Sequence, residues 1–176
     1  MSPLSLSDHK KISMRFIVHG GKKLQGEITV AGSKNAATPI IAATLLTSHP
    51  CILENVPRIG DVLVILDILK SMGSKIRWID EHTVEIVNDD IDPAAMDQKL
   101  FGRIRSSILL VGPLLARFKE VMFAIPGGCL IGARPIDAHL AAFKELGAEV
   151  AHDEKTGWYR LSLEKPRVHE VTLREP

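Results

Sequence analysis

The sequence predicts an α/β fold in which one unit of helices and strands is used twice. Three observations predict it. Uncharged segments, strand-like segments and amphipathic segments follow one another in the same order twice over. The spacing agrees: Lys34 to Pro57 and Arg103 to Pro126 are each 23 residues, and Leu46 to Pro57 and Leu115 to Pro126 are each 11. Each proline is followed by Arg-x-x-Asp, Arg58 to Asp61 and Arg134 to Asp137. These lead into helices ending Leu69-Lys70-Ser71-Met72-Gly73 and Phe143-Lys144-Glu145-Leu146-Gly147. Recurrence at a fixed spacing is the mark of a structural repeat.

The elements follow in order. Residues 1–14 are polar and mixed and read as a flexible leader. Phe16 to Val18 and Glu27 to Ala31 alternate as strands do, with glycines between them. No Asp, Glu, Lys or Arg occurs between Asn35 and Leu53, so the helix expected over Ala36 to Leu46 is read as buried on all sides, with Pro39 as a mild conflict. Cys51 to Val56 is a strand. Val62, Ile65, Leu66, Leu69 and Met72 have helical spacing, and Gly73 caps that helix. Lys75 to Ile79 and Thr83 to Val87 form a strand pair, and Asn88 to Lys99 is a polar connection. Then Arg103 to Ala116 is a second nearly uncharged helix and Glu120 to Ile125 a strand. Ile136, Leu140, Phe143 and Leu146 line a helix ended by Gly147. Glu149 to Ala151 and Tyr159 to Leu163 form the last strand pair. The repeat units run over approximately 24–98 and 99–166.

One segment breaks the symmetry. Between Pro126 and Arg134 lie seven residues, Gly127 to Ala133, with no counterpart in the first copy. They place Cys129 on a glycine-rich loop, five residues before Arg134 and a helix start. A small buried cysteine is the bland reading of such a thiol. An insertion into a repeat sits at the surface and often carries function, which moves Cys129 toward chemistry. Lys34 and Asn35 open the first helix, and Arg103 and Arg105 stand at the equivalent place in the second. Cations recurring at helix starts suit an anionic ligand, because helix N-termini also favour negative charge. Asp61 and Asp137, in first helical turns, are read as capping residues. His139 is read as a hydrogen-bonded support.

Composition excludes several classes. The net charge of +1 gives no electrostatic reason to expect nucleic acid or an anionic membrane surface. Hydrophobic residues at 45% and charged residues at 24% are ordinary for a globular protein. Two cysteines, Cys51 and Cys129, point to a reducing compartment, hence the cytoplasm. The seven histidines show no metal-ligand spacing, so no metal is expected. There is no Walker loop and no dinucleotide fingerprint, so no cofactor is expected either.

Four motifs carry a resemblance. They are Gly32-Ser33-Lys34-Asn35-Ala36-Ala37, Asn55-Val56-Pro57, Arg105-Ser106-Ser107, and the run Pro126-Gly127-Gly128-Cys129 through Ile131-Gly132-Ala133-Arg134-Pro135-Ile136-Asp137 to His139. From Arg15 onward the chain resembles the UDP-N-acetylglucosamine 1-carboxyvinyltransferases, enolpyruvyl transferases of peptidoglycan precursor synthesis. The resemblance implies an inside-out α/β barrel of repeated β-α-β-α-β-β units, helices inside and mixed sheets outside, two of the units being present. It implies transfer of enolpyruvyl from phosphoenolpyruvate to the sugar 3-hydroxyl of UDP-N-acetylglucosamine, by addition and elimination through a tetrahedral ketal. It assigns Cys129 as general acid and fosfomycin target, and Lys34 and Asn35 to phosphoenolpyruvate. Arg105, Arg134, Pro135, Ile136, Asp137 and Ala138 fall to the nucleotide sugar, with Ala138 standing where the family usually has Leu. The family fold has two domains of three such units each, with the site between them. This chain stops at Pro176 after two units, so a truncated copy, inactive alone, is expected. The alternatives are a non-catalytic nucleotide-sugar-binding module and a module that docks on a partner chain, a second copy of itself included, through the face left by missing repeats.

Overall fold

A computed structural model of the chain describes residues 17–127 and 135–167. The chain divides into two compact units, Met1–Val30 and Ala31–Pro176. In the first, residues 17–30 form neither helix nor strand, and Ile17, Val18, Leu24, Ile28 and Val30 are exposed. The strands expected over Ile17 and Val18 and over Glu27 to Ala31 are not formed, and Phe16 lies outside the described residues. Alternation makes a segment competent for a strand, but a strand exists only where an edge takes its hydrogen bonds. All described pairings lie within residues 51–162.

In the second unit the repeat is explicit. The first copy runs α1 (Lys34–Ala43), a 3-10 turn (Thr44–Leu46), β1 (Cys51–Leu53), α2 (Gly60–Ser71), β2 (Lys75–Trp78) and β3 (Val84–Val87). The second runs a 3-10 turn (Arg105–Leu110), α4 (Val111–Phe118), β4 (Glu120–Phe123), α5 (Asp137–Glu145), β5 (Glu149–Asp153) and β6 (Trp158–Ser162). The polar connection between the copies is itself folded, into a 3-10 turn (Pro93–Ala95) and α3 (Gln98–Phe101). The two sheets have the same order, β1-β3-β2 and β4-β6-β5. Every described pairing is antiparallel, where mixed sheets were expected. Alternation sets the faces: Val84 and Ile86 of β3, Val121 and Phe123 of β4 and Leu161 of β6 point into the core.

Both amphipathic helices end alike. Gly73 and Gly147 take φ of 104° and 95°, the left-handed conformation that only glycine adopts at no steric cost. The N–H of Ser74 then reaches the Leu69 carbonyl, and that of Ala148 the Phe143 carbonyl.

Two helices differ from expectation. α1 is not buried on all sides: Ala37, Thr38, Ile41 and Ala42 face the core, while Ala36, Pro39, Ile40 and Ala43 face solvent. Absence of charge shows what a helix tolerates, not what covers it. The second uncharged helix is split at Val111. Ser107 Oγ donates to the carbonyls of Phe101 and Ile104, and Pro113 cannot donate at all, so the regular helix starts where proline falls in a first turn.

Polar groups brace the first copy and tie it to the second. Asn88, fully buried, accepts from Ser74 Oγ and donates to the Thr44 carbonyl and hydroxyl. Arg117 of α4 donates to the carbonyls of Leu45, Thr47 and Asn88. Gln98 of α3 extends the β4 edge, donating to Met122 O and accepting from Ala124 N.

Candidate active site

Lys34 is the first residue of α1. Ser33 precedes it in extended conformation without a side-chain capping bond, and the first turn of α1 holds no acid. The Lys34 ammonium instead reaches the first turn of α2, where it donates to Asp61 Oδ2 at 2.6 Å. This corrects the reading of Asp61 as a cap: α2 is entered through Ile59 with no side-chain capping bond, and the carboxylate is spent on the lysine. Asp137 likewise stands in a first turn whose preceding residue, Ile136, makes no side-chain cap. Asn35 is exposed beside Lys34.

The start of α1 is packed tightly against the turn after β1. A Cβ on Gly32 would lie 1.9 Å from the Asn55 carbonyl oxygen, so only glycine fits. Asn55 itself has φ of 55°, a conformation asparagine tolerates better than most residues. A pocket of about 350 Å³ opens there, lined by Gly32, Ser33, Ala36, Ile40, Glu54 and Asn55 among others. The second copy repeats this approach with the glycine on the other side: a Cβ on Gly127 would lie 2.0 Å from the Gly102 carbonyl oxygen.

Arg105 opens the 3-10 turn that packs against α1. Its guanidinium donates to the Pro135 carbonyl at 2.7 Å. Thus the segment Gly102–Arg105 touches both ends of the inserted loop, at Gly127, its first residue, and at Pro135, two residues past its last. Ile136 is buried, Ala138 half-buried, and Pro135 and Asp137 exposed. Partial desolvation, with the Arg105 charge, lowers the pKa of His139 below its ordinary 6.5, so it favours the neutral form. Cys129 and Arg134 lie outside the described residues. The Arg58 counterpart of Arg134 stacks on Trp78, 4.1 Å from the ring centroid. The sequence signals for Lys34, Asn35, Arg105 and the Pro135–Ala138 run thus fall at the starts of three elements, α1, the 3-10 turn that packs against it, and α5, whose approach Arg105 holds at Pro135. What sequence reasoning missed is Asp61 as a partner of Lys34, and Gly102 and Arg105 as supports of the loop. The only hint of the first was the recurring Asp three residues after each arginine.

The comparison with known proteins fits this geometry. Residues 18–175 match the family model described as EPSP synthase (3-phosphoshikimate 1-carboxyvinyltransferase). The chain belongs to this enolpyruvyl transferase family. Within it, the UDP-N-acetylglucosamine 1-carboxyvinyltransferase 1 of Carboxydothermus hydrogenoformans is 45% identical over 162 residues, 92% of this chain and 38% of that protein. The UDP-N-acetylglucosamine 1-carboxyvinyltransferase of Bradyrhizobium diazoefficiens is 46% identical over 165 residues, 93% of this chain and 37% of that protein. The resemblance read from the motifs is borne out, and the chain spans less than two-fifths of the length of these relatives. Among solved structures, the enolpyruvyl transferase NikO from Streptomyces tendae superposes with a TM-score of 0.70 at 24% identity, covering 85% of this chain and 32% of that one. At that identity the likeness shows the fold: this chain holds part of the α/β barrel that its resemblance implied.

Proposed function

We propose that this chain serves the transfer of enolpyruvyl from phosphoenolpyruvate to the 3-hydroxyl of UDP-N-acetylglucosamine, a cytoplasmic step of peptidoglycan precursor synthesis. The observation that carries the reading is the 45–46% identity to UDP-N-acetylglucosamine 1-carboxyvinyltransferases across more than nine-tenths of the chain. The cations at adjacent helix entrances support it. In the reaction the sugar hydroxyl gives up its proton and its oxygen bonds to C2 of phosphoenolpyruvate, while C3 gains a proton from the general acid. Phosphate then leaves from the tetrahedral ketal as a C3 proton is lost. Cys129 is the general acid toward C3. Lys34 and Asn35 hold phosphoenolpyruvate. Arg105, Arg134 and the run from Pro135 to Ala138 hold the nucleotide sugar, and the fixed cations offset charge that develops during addition.

The test is site-resolved alkylation of the 176-residue chain, read by peptide mass spectrometry. Cys129 is expected to react with fosfomycin or iodoacetamide before Cys51. Cys51 is half-buried in β1 and its thiol donates to the His49 carbonyl. Modification of Cys51 first would remove the cysteine assignment.

A second reading, a docking module that self-associates, is favoured by one observation. α1 and the turn after it present an uncharged face of Ala36, Pro39, Ile40, Ala43 and Leu46, with Ile40 50% and Leu46 60% exposed. On this reading the chain elutes as a dimer or larger and binds an apolar dye. A monomer that binds no dye excludes it.

A further inference from the structure

The ion pair between Lys34 and Asp61 joins two helix entrances 27 residues apart in sequence. Its side chains are 49% and 39% exposed. Exposed pairs of this kind add little to stability, so holding the fold together does not account for it. Its position does suggest a use. Lys34 stands at the positive end of α1, where no acid and no side-chain cap offset the helix dipole. The ammonium has three donors, and one is directed to Asp61 Oδ2. That bond draws a long, otherwise rotatable side chain across to the start of α2. The pocket beside Gly32, Ser33 and Ala36 opens at the same helix start.

We propose that Asp61 is a positioning residue, which holds the Lys34 ammonium at the α1 entrance and whose negative charge restrains the attraction of that entrance for a phosphate-bearing anion. The inference rests on the reading of Lys34 as an anion-binding residue. An incoming phosphate and the Asp61 carboxylate compete for one cation and repel each other. Binding is thereby kept reversible, and phosphate, which is also the leaving group, is released more readily. Asparagine in place of Asp61 still accepts the lysine hydrogen bond but removes the charge, so the anion is drawn in more strongly. At water-like screening over about 6 Å this is a factor of roughly three.

Two aldehydes measure it on the full 176-residue chain. Pyridoxal 5′-phosphate and pyridoxal both condense with a lysine amine, and only the first carries a phosphate. Borohydride trapping and peptide mass spectrometry give both rates at Lys34, and their ratio separates phosphate attraction from amine reactivity. Asp61→Asn is expected to raise the ratio about threefold or more, with the thermal midpoint within about 2 °C of the parent. Asp61→Glu, which restores the charge and the hydrogen bond, is expected to return the ratio to the parent value. A ratio unchanged by Asp61→Asn, or raised equally by Asp61→Glu, overturns the proposal. The substrate reading is judged separately, by whether phosphoenolpyruvate protects Lys34 in the parent chain. Absence of protection together with a raised ratio in Asp61→Asn would discard phosphoenolpyruvate as the ligand while retaining the role of Asp61.

Discussion

Arg117→Ala is expected to lower the unfolding free energy by about 3 kcal/mol and the thermal midpoint by roughly 6–12 °C. The guanidinium donates to Leu45 O at 3.0 Å, Thr47 O at 3.3 Å and Asn88 O at 2.8 Å. Leu45 is the middle residue of the 3-10 turn that follows α1, where carbonyls have no helical partner and a cation is favoured. Asn88 is fully buried and already committed to Ser74 and Thr44. Removing Arg117 therefore strips charged donors from three carbonyls at the junction of the two repeats, and water entering the space left by the side chain replaces only part of them. Arg117→Lys is expected to fall between, because a single ammonium cannot serve three divergent carbonyls. Thermal and urea unfolding of the three chains check this. A midpoint for Arg117→Ala within 2 °C of the parent would show that these bonds do not couple the repeats.

Gly127→Ala is expected to cost about 2–3 kcal/mol, by overpacking rather than by any lost contact. The new Cβ would stand 2.0 Å from the Gly102 carbonyl oxygen, and both sides of that contact are backbone, so neither can swing away. The same approach recurs in the first copy at Gly32 and Asn55, which makes it a property of the repeat and not of one loop. Gly60→Ala is the control: among the described residues nothing lies within 4 Å of the added carbon at the first residue of α2, and alanine there is expected to be neutral or slightly stabilising. Equal unfolding midpoints for the two variants would refute the close approach. Because Gly127 is the first residue of the segment that carries Cys129, Gly127→Ala is also expected to change the rate at which that thiol is alkylated, while the rate at Cys51 stays the same.

Much of the fold was legible because its signals are local. Glycine at 73 and 147 marks helix ends by a conformational preference, and the period-two alternation in β3 and β4 marks their buried faces. The seven inserted residues stand out by counting alone. The failures share a cause. Glu27 to Ala31 has the alternation of a strand, yet a strand needs a partner edge that alternation cannot supply. The uncharged run of α1 reads as buried, yet Ile40 and Leu46 face solvent, because composition does not record what packs where. Pro113 and Ser107 split the second helix by hydrogen bonding that becomes evident only when the acceptors, Phe101 O and Ile104 O, are in place.

The site divides in the same way. The sequence by itself determined the family, the repeat, and the residues that carry its motifs, Lys34, Asn35, Arg105, Cys129 and the Arg134–Ala138 run, since each motif is contiguous. Only the tertiary structure decided that Asp61 holds Lys34 rather than capping α2, that Gly102 and Arg105 brace the two sides of the cysteine loop, and that Arg117 binds one repeat to the other. Those pairings span 25 to 72 residues. A partner at such a distance leaves no periodic trace in the chain, because it is chosen by where the packed helices and sheets bring their ends together.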